Sequence, residues 1–320
     1  MMRWVTVLLT IAASVGLVAA GKAAKDDADL RAPVRLVVDG DVIPWKRMSV
    51  FVLPGESVDI RIDEERLVHE YGLRSEHGVV RQLTPRRWRW EAPDETGMVK
   101  LELEPVAAHG DKEKIELRAW VMVPRSRVVN GSLNGFRIGD YPTKPLKNNP
   151  IYKPPPGFIE VTKGNEDERL SPHFRLKQFL VKQQMSEWPK YVIVQTRLLL
   201  KLEEVLARVR RSGYHVETLA VMSAYRTPWY NRAIGNETTY SQHLWGSAAD
   251  VFVDDDGDGM MDDLNGDKRI DREDATVLMG MVVDVERSSH ELVGGLGAYP
   301  GTRAHGPFVH LDVRGTPARW

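Results

Sequence analysis

The chain has no cysteine among its 320 residues. That excludes a disulfide framework, a thiolate nucleophile, an iron–sulfur cluster and a cysteine-type zinc finger. Any metal must therefore be held by His, Asp, Glu or Asn. An excess of one charge is also missing: 44 Lys and Arg stand against 45 Asp and Glu, a formal net charge of −1. Nothing general draws such a chain to nucleic acid. Long apolar runs are scarce. The stretch from Trp4 to Val18, behind Arg3, is short for a span of roughly 20 residues. It ends in Val18-Ala19-Ala20, the small-x-small layout of a secretory signal. The expectation is a signal peptide over 1–20 and an exported or periplasmic protein with no stable membrane span after cleavage. An uncleaved anchor is the alternative.

What is present divides the chain, whose length suits about two domains of ~150 residues each. Over 21–127, short apolar stretches recur between turn residues: Val34–Val38, Ser49–Leu53, Val58–Ile62, Trp88–Trp90, Val99–Leu103 and Ile115–Val123. This spacing predicts an all-β sandwich of immunoglobulin-like type. In Arg86-Arg-Trp-Arg-Trp90, period-2 geometry turns both Trp side chains inward and Arg89 outward, a plainer reading than a sugar-stacking patch. Residues 128–170 include six prolines between Pro142 and Pro156. They read as a linker or extended strap, stiff at Lys153-Pro-Pro-Pro-Gly157. From 171 the pattern is mixed α and β. A helix is expected to open at Ser171-Pro172 and carry Phe174, Leu176, Phe179 and Leu180. A longer one over Val192–Arg211 carries Leu198, Leu202, Val205 and Val209 on one stripe, and a buried strand follows at Leu219–Ser223.

Nine histidines are scattered along the chain, and two keep unusual company. His243 lies in Ser241-Gln-His-Leu-Trp-Gly-Ser-Ala-Ala-Asp250, where Asp250 enters an apolar strand. A carboxylate there costs heavily in desolvation unless it is paired or bound to a cation. His310 lies in Phe308-Val-His-Leu-Asp-Val313, whose alternation puts Phe308, His310 and Asp312 on one face. If the two strands pair, Asp250 and His310 can share one cleft, with His243 arriving from the adjoining turn. Two imidazoles and one carboxylate suit zinc with a fourth position for water. A Ser241–His243–Asp250 triad is the competitor. It lacks a Gly-x-Ser-x-Gly elbow, and Ser241 and His243 are too near in sequence for easy nucleophile–base geometry.

Ser241, His243, Gly246, Ala248 and Asp250 match Ser-x-His-x-x-Gly-x-Ala-x-Asp. This resembles the signature of zinc D-Ala-D-Ala carboxypeptidases and murein endopeptidases related to the hedgehog amino-terminal domain. The segment Ser223-Ala-Tyr-Arg-Thr-Pro228 and the strand Phe308-Val-His-x-Asp312 resemble two further motifs of that group. The resemblance covers about 171–320 and implies an α+β domain with an antiparallel sheet. It implies zinc on His243, Asp250 and His310, Arg226 on a substrate carboxylate or the developing oxyanion, and Ser241 holding substrate. The implied activity is cleavage of peptidoglycan stem or cross-link peptides in cell-wall remodelling. Many relatives place an acid or His just before the last ligand as general base, whereas Gly306-Pro-Phe-Val309 stands here. Asp312 is the candidate instead and His305 the alternative. The alternative function is a non-catalytic envelope-binding protein that keeps the metal-site fold.

Between the ligands lies an acidic insertion, 254–274. Counting from Asp263, oxygen ligands fall at Asp263, Asn265, Asp267, Asp271 and Asp274, in the spacing of an EF-hand or dockerin-type calcium loop. Lys268 stands where glycine is usual. Counting from Asp254, a second partial loop uses Asp254, Asp256, Asp258 and Asp262, with Gly259 in the glycine position. Calcium is the expected second ion, and a solvated acidic loop is the alternative.

Overall fold

The computed structural model describes residues 27–64, 69–107 and 113–320. The expected signal peptide, 1–20, lies outside them. The described part is a mixed α+β structure, rich in antiparallel sheet and with few helices.

Among the described residues the first half carries nine strands: β1 (Arg31–Val38), β2 (Asp41–Trp45), β3 (Arg47–Val52), β4 (Ser57–Ile62), β5 (Tyr71–Ser75), β6 (Val79–Thr84), β7 (Arg87–Glu91), β8 (Gly97–Pro105) and β9 (Ile115–Val121). They form two sheets, in the orders β2-β1-β4-β7-β6 and β3-β9-β8-β5. Pairing is antiparallel except between β3 and β9, which run parallel. Alternation decides what is inside. Trp88 and Trp90 are buried and Arg89 is exposed, so the basic run is a strand with an aromatic inner face. Trp45 and Trp120 join the same apolar core. The indole of Trp120 donates to Ser49 Oγ at 3.1 Å, which satisfies a polar atom that burial would otherwise penalise.

Residues 123–192 are packed against both halves. They carry β10 (Val123–Pro124), the hairpin β11 (Ser132–Leu133) and β12 (Phe136–Arg137), then β13 (Gly157–Val161) and β14 (Lys190–Val192). Strands β10, β13 and β14 make one small sheet. The proline-rich stretch closes on an aromatic group: the rings of Tyr152 and Tyr240 both lie against Trp245, at centroid distances of 5.5 and 6.2 Å. Trp245 Nε1 donates to Lys153 O at 2.8 Å. Tyr141 OH donates to Leu244 O at 3.0 Å and meets Tyr225 OH at 2.9 Å. The helix expected from Ser171 does not form. Only one turn of 3-10 helix, Leu176–Phe179, is present. Backbone bonds from Leu170 N to Phe174 O and from Leu176 N to Glu168 O fold this stretch on itself, burying Phe174, Leu176 and Phe179 without a helical stripe.

The last half is a five-stranded sheet, order β15-β16-β18-β17-β19, made of β15 (Ala220–Ser223), β16 (Ala248–Phe252), β17 (Gly295–Tyr299), β18 (Phe308–Asp312) and β19 (Ala318–Arg319). Helices α1 (Thr196–Arg211) and α3 (Arg272–Ser288) pack on each other, α3 against β17 and β18; the short α2 spans Pro228–Ala233. Helix α1 starts four residues later than the periodicity suggests, because Lys190–Val192 is already paired in β14. Its predicted stripe of Leu198, Leu202, Val205 and Val209 is fully buried. Three ion pairs, Arg31 with Glu204, Arg197 with Asp41 and Arg210 with Asp27, join α1 to the first half.

Candidate metal centre

Strands β16 and β18 pair antiparallel with Asp250 directly opposite His310. Alternation therefore sends both side chains to the same side of the sheet. His243 arrives from a 3-10 turn, Gln242–Trp245, that ends on Gly246 with φ +62°. A Cβ at that position would lie 2.3 Å from Ile193 O. Both the left-handed backbone and the close approach thus require glycine, and together they aim the turn carrying His243 at the sheet.

The three side chains meet. His310 Nδ1 is 2.9 Å from Asp250 Oδ1 and 3.2 Å from His243 Nε2, and His243 Nε2 is 3.2 Å from Asp250 Oδ1. Ligand atoms about 2.0–2.1 Å from a tetrahedral zinc stand roughly 3.3 Å apart, so the trio has nearly the spacing of three corners of that tetrahedron. The protonation pattern agrees. His243 Nδ1 lies 2.6 Å from Ala224 O, and a carbonyl only accepts, so Nδ1 carries the proton and Nε2 presents its lone pair to the centre. His310 Nε2 faces Asp312 Oδ2 at 3.3 Å, leaving Nδ1 to the centre. Such carboxylate–histidine pairs fix the ring of a metal ligand and raise its basicity.

All of this is buried: His243 and Asp250 are each 3% exposed, His310 8%. Burial lowers the pKa of His243, against the pull of Asp250. Burial alone would raise the Asp250 carboxyl, but the imidazoles of His243 and His310 outweigh it and hold the group well below the usual carboxylate range. For His310 burial opposes protonation, yet hydrogen bonds to Asp250 and Asp312 win and raise its pKa.

Asp312 does not open to the cleft. It is 0% exposed, and besides His310 it accepts from Gly295 N at 2.8 Å and from the Arg314 guanidinium. The role of proton shuttle, suggested by its place on the strand face, conflicts with that geometry; the side chain braces His310 instead. His305 is half-buried and lines a smaller hollow beside the cleft, together with Ser223, Tyr225 and Arg226. Arg226 lines both hollows. Its Nη2 donates to Asp250 Oδ2 at 2.6 Å and its Nε to Ser223 Oγ at 2.8 Å. It therefore orients a candidate ligand as well as facing the cleft. Ser241 stands at the start of the 3-10 turn and lines the cleft, which measures about 470 Å³.

The walls include residues that the motifs did not single out. Arg314 follows Asp312 by two on the same strand face, a signal that alternation offered. Trp320 lies over His310 with ring centroids 5.3 Å apart, and its indole donates to Tyr299 OH. Tyr299 stacks on Phe308 at 4.8 Å. No motif links these aromatics in sequence.

In the acidic insertion, Asp254, Asp256 and Asp262 come together closely enough to share an ion. The two predicted loops have the same local build. Asp254 accepts from Gly257 N and Gly259 N, and Asp263 accepts from Gly266 N and Lys268 N. Gly259 and Lys268 both have positive φ, +82° and +69°, so Lys268 takes up the backbone that glycine usually supplies. Among the described residues, Asp263, Asp267, Asp271 and Asp274 do not gather as the first group does. Asp274 is instead buried, accepting from Leu264 N, Asn265 N and Asp271 N at the start of α3.

Residues 172–266 match the family model of Peptidase M15. The matched segment is under a third of the chain. It takes in Arg226, Ser241, His243 and Asp250, and ends before His310. Peptidase M15 is a zinc peptidase family, and the His/Asp group built here has the composition such a site needs. No curated protein matches the chain, and no solved structure matches it. Among the described residues, no helix is long and apolar enough to cross a membrane.

Proposed function

We propose that the chain is an exported zinc peptidase that hydrolyses peptide bonds of peptidoglycan, as a D,D-carboxypeptidase or a murein endopeptidase, in cell-wall remodelling. The observation that carries this reading is the mutual spacing of His243, Asp250 and His310 at the floor of one cleft. The apolar start of the chain supports export. The two-sheet half is read as an immunoglobulin-like sandwich that positions the enzyme, and 171–320 as the hedgehog-like peptidase domain.

Zinc held by these three residues would supply Lewis acidity towards a scissile carbonyl and towards water. The protein supplies the rest. Arg226, fixed by Asp250 and Ser223, and Arg314, fixed by Asp312, bring positive charge to the cleft where a substrate carboxylate or oxyanion is stabilised. Trp320, Tyr240 and the Tyr299–Phe308 stack give apolar walls that exclude water. His305 is the proton carrier: its Nδ1 lies 2.8 Å from Gly306 O, which places the proton on Nδ1 and the lone pair on Nε2.

Two substitutions separate the roles of His305 and Asp312. His305→Gln is expected to lower kcat by about 10²–10⁴ with zinc content unchanged. Asp312→Asn is expected to weaken zinc binding about 10–100-fold, which a competitive chelator titration measures. An unchanged kcat in the first variant would remove His305 from the mechanism.

The peptidase reading is tested on purified sacculi, where zinc-loaded protein should release amino acids or peptides and chelator should stop it. Mass spectrometry of defined muropeptides then identifies the bond. One observation favours a second reading, a non-catalytic envelope-binding protein: among the described residues lining the cleft, Asp250 is the sole carboxylate. Binding to sacculi with no released product would establish that reading instead.

For the insertion, the proposal is one calcium ion on Asp254, Asp256, Asp258 and Asp262; Asp274, bound to three backbone N–H groups at the start of α3, leaves the second expected loop without its closing ligand. Calcium at about 100 times its dissociation constant should then stabilise the fold by about 2.7 kcal/mol, and Asp254→Asn with Asp262→Asn should abolish the gain. A melting temperature and an activity both indifferent to calcium would end this proposal.

A further inference from the structure

A second hollow, larger than the metal cleft, lies apart from it. It measures about 980 Å³ and lies where the first half meets the segment that follows β13. Its lining is rich in cations, and their partners divide them into two kinds. Arg47 pairs with Glu116 at 3.2 Å, Lys177 with Asp167 at 2.7 Å, and Arg210 with Asp27 at 2.6 Å. Arg169 and Arg175 have no carboxylate partner among the described residues. Arg169 donates to Pro172 O, and Arg175 donates to Asp167 O at 2.7 Å. Backbone carbonyls orient these guanidiniums without cancelling their charge.

The floor is rigid. His173 Nδ1 is 2.6 Å from Glu203 Oε2, and its Nε2 is 3.0 Å from Arg210 Nη1. Arginine only donates, so Nε2 accepts and the Nδ1 proton goes to Glu203. The ring is fixed from both sides. Glu217, exposed at the rim, is the sole carboxylate of the lining. The surroundings of Arg169 carry the same sign: burial lowers its pKa, and the guanidiniums of Arg175 and Arg47 lower it further, against Glu203 and Glu217.

We propose that this hollow is an anion site that binds a phosphate group through Arg169 and Arg175, with Arg47 completing the cradle from the other half of the chain. A carboxylate has two oxygens, which one guanidinium fork occupies; a phosphate offers more oxygens, in a tetrahedron that several forks can reach. The volume is far larger than one phosphate and suits a ligand of which the phosphate is one part. The phosphate belongs either to a soluble monoester or to the diester of an anionic lipid headgroup. This site shares no residue with the metal cleft and does not depend on the peptidase reading.

The test uses the full chain at constant ionic strength. Calorimetric titration with inorganic phosphate covers the soluble source, and co-sedimentation with phosphatidylglycerol against phosphatidylcholine vesicles covers the headgroup. Saturable binding in either arm is expected, and the stronger arm names the source. Losing two charged hydrogen-bond donors in Arg169→Gln/Arg175→Gln should weaken binding at least about tenfold. Glu217→Gln, which removes a surface charge only, should tighten it about threefold. Arg47→Gln leaves the 169–177 segment untouched and should weaken binding even if the double variant misfolds. Absence of saturable binding in both arms would overturn the proposal. So would equal affinity in wild type, Arg47→Gln and Glu217→Gln.

Discussion

His243→Ala is expected to abolish both zinc retention and peptide hydrolysis. Three protein ligands are the minimum for a catalytic zinc site, and the His243 lone pair is aimed at the centre by its bond to Ala224 O. The other two ligands lie opposite each other on β16 and β18 and cannot close a tetrahedral corner set alone. Bound zinc should fall from about one equivalent to near background, read by metal analysis after dialysis. Release of product from sacculi should fall with it. The substitution sits in a turn between Ser241 and Gly246, so α1, α3 and the two-sheet half should keep their fold. Retention of full hydrolysis would show that the trio is not the reactive centre.

Lys201→Met is expected to cost about 3–5 kcal/mol of stability, the usual result of removing one member of a buried ion pair. Lys201 is fully buried within α1. Its Nζ donates to Glu286 Oε1 at 2.6 Å on α3 and to Asp312 O at 2.7 Å on β18. Burial pushes its pKa down while Glu286 resists, as expected of a charge kept by its partner. One side chain thus ties both helices to the strand that carries His310. Urea unfolding measures the loss. In Lys201→Met/Glu286→Gln the combined cost should fall short of the sum of the singles, because both act on one interaction. Additive costs would mean that the pair is not coupled.

The motifs made the meeting of His243, Asp250 and His310 legible because its chemistry is spelled in residue types: a carboxylate inside an apolar strand demands a partner, and two such strands with alternating faces can meet. What they did not reveal were contacts made by ordinary residues. Nothing in the sequence singles out Lys201 or Glu286. Asp312 shares the His310 face as alternation requires, yet only the fold shows Arg314 closing over it. The strands missed in the first half share one cause: β2, β5 and β6 all stand at sheet edges. Edge strands tolerate Pro44 in β2 and Gly72 in β5, and β6 is exposed along most of its length, so the inside–outside rhythm fades. Helix α3 hid behind the acidic insertion, with Gly280 in its middle.

The proline-rich stretch bears on where the second half begins. Its tyrosines and the Lys153 carbonyl hold the back of the turn that presents His243. A fragment started at residue 171 would lose Tyr141 and Tyr152, strip the indole of Trp245 of its acceptor, and turn those ring faces to solvent. The shortest piece able to keep His243 seated therefore starts upstream of Tyr141, and what sequence composition suggests is a tether serves as the foundation under the His243 turn.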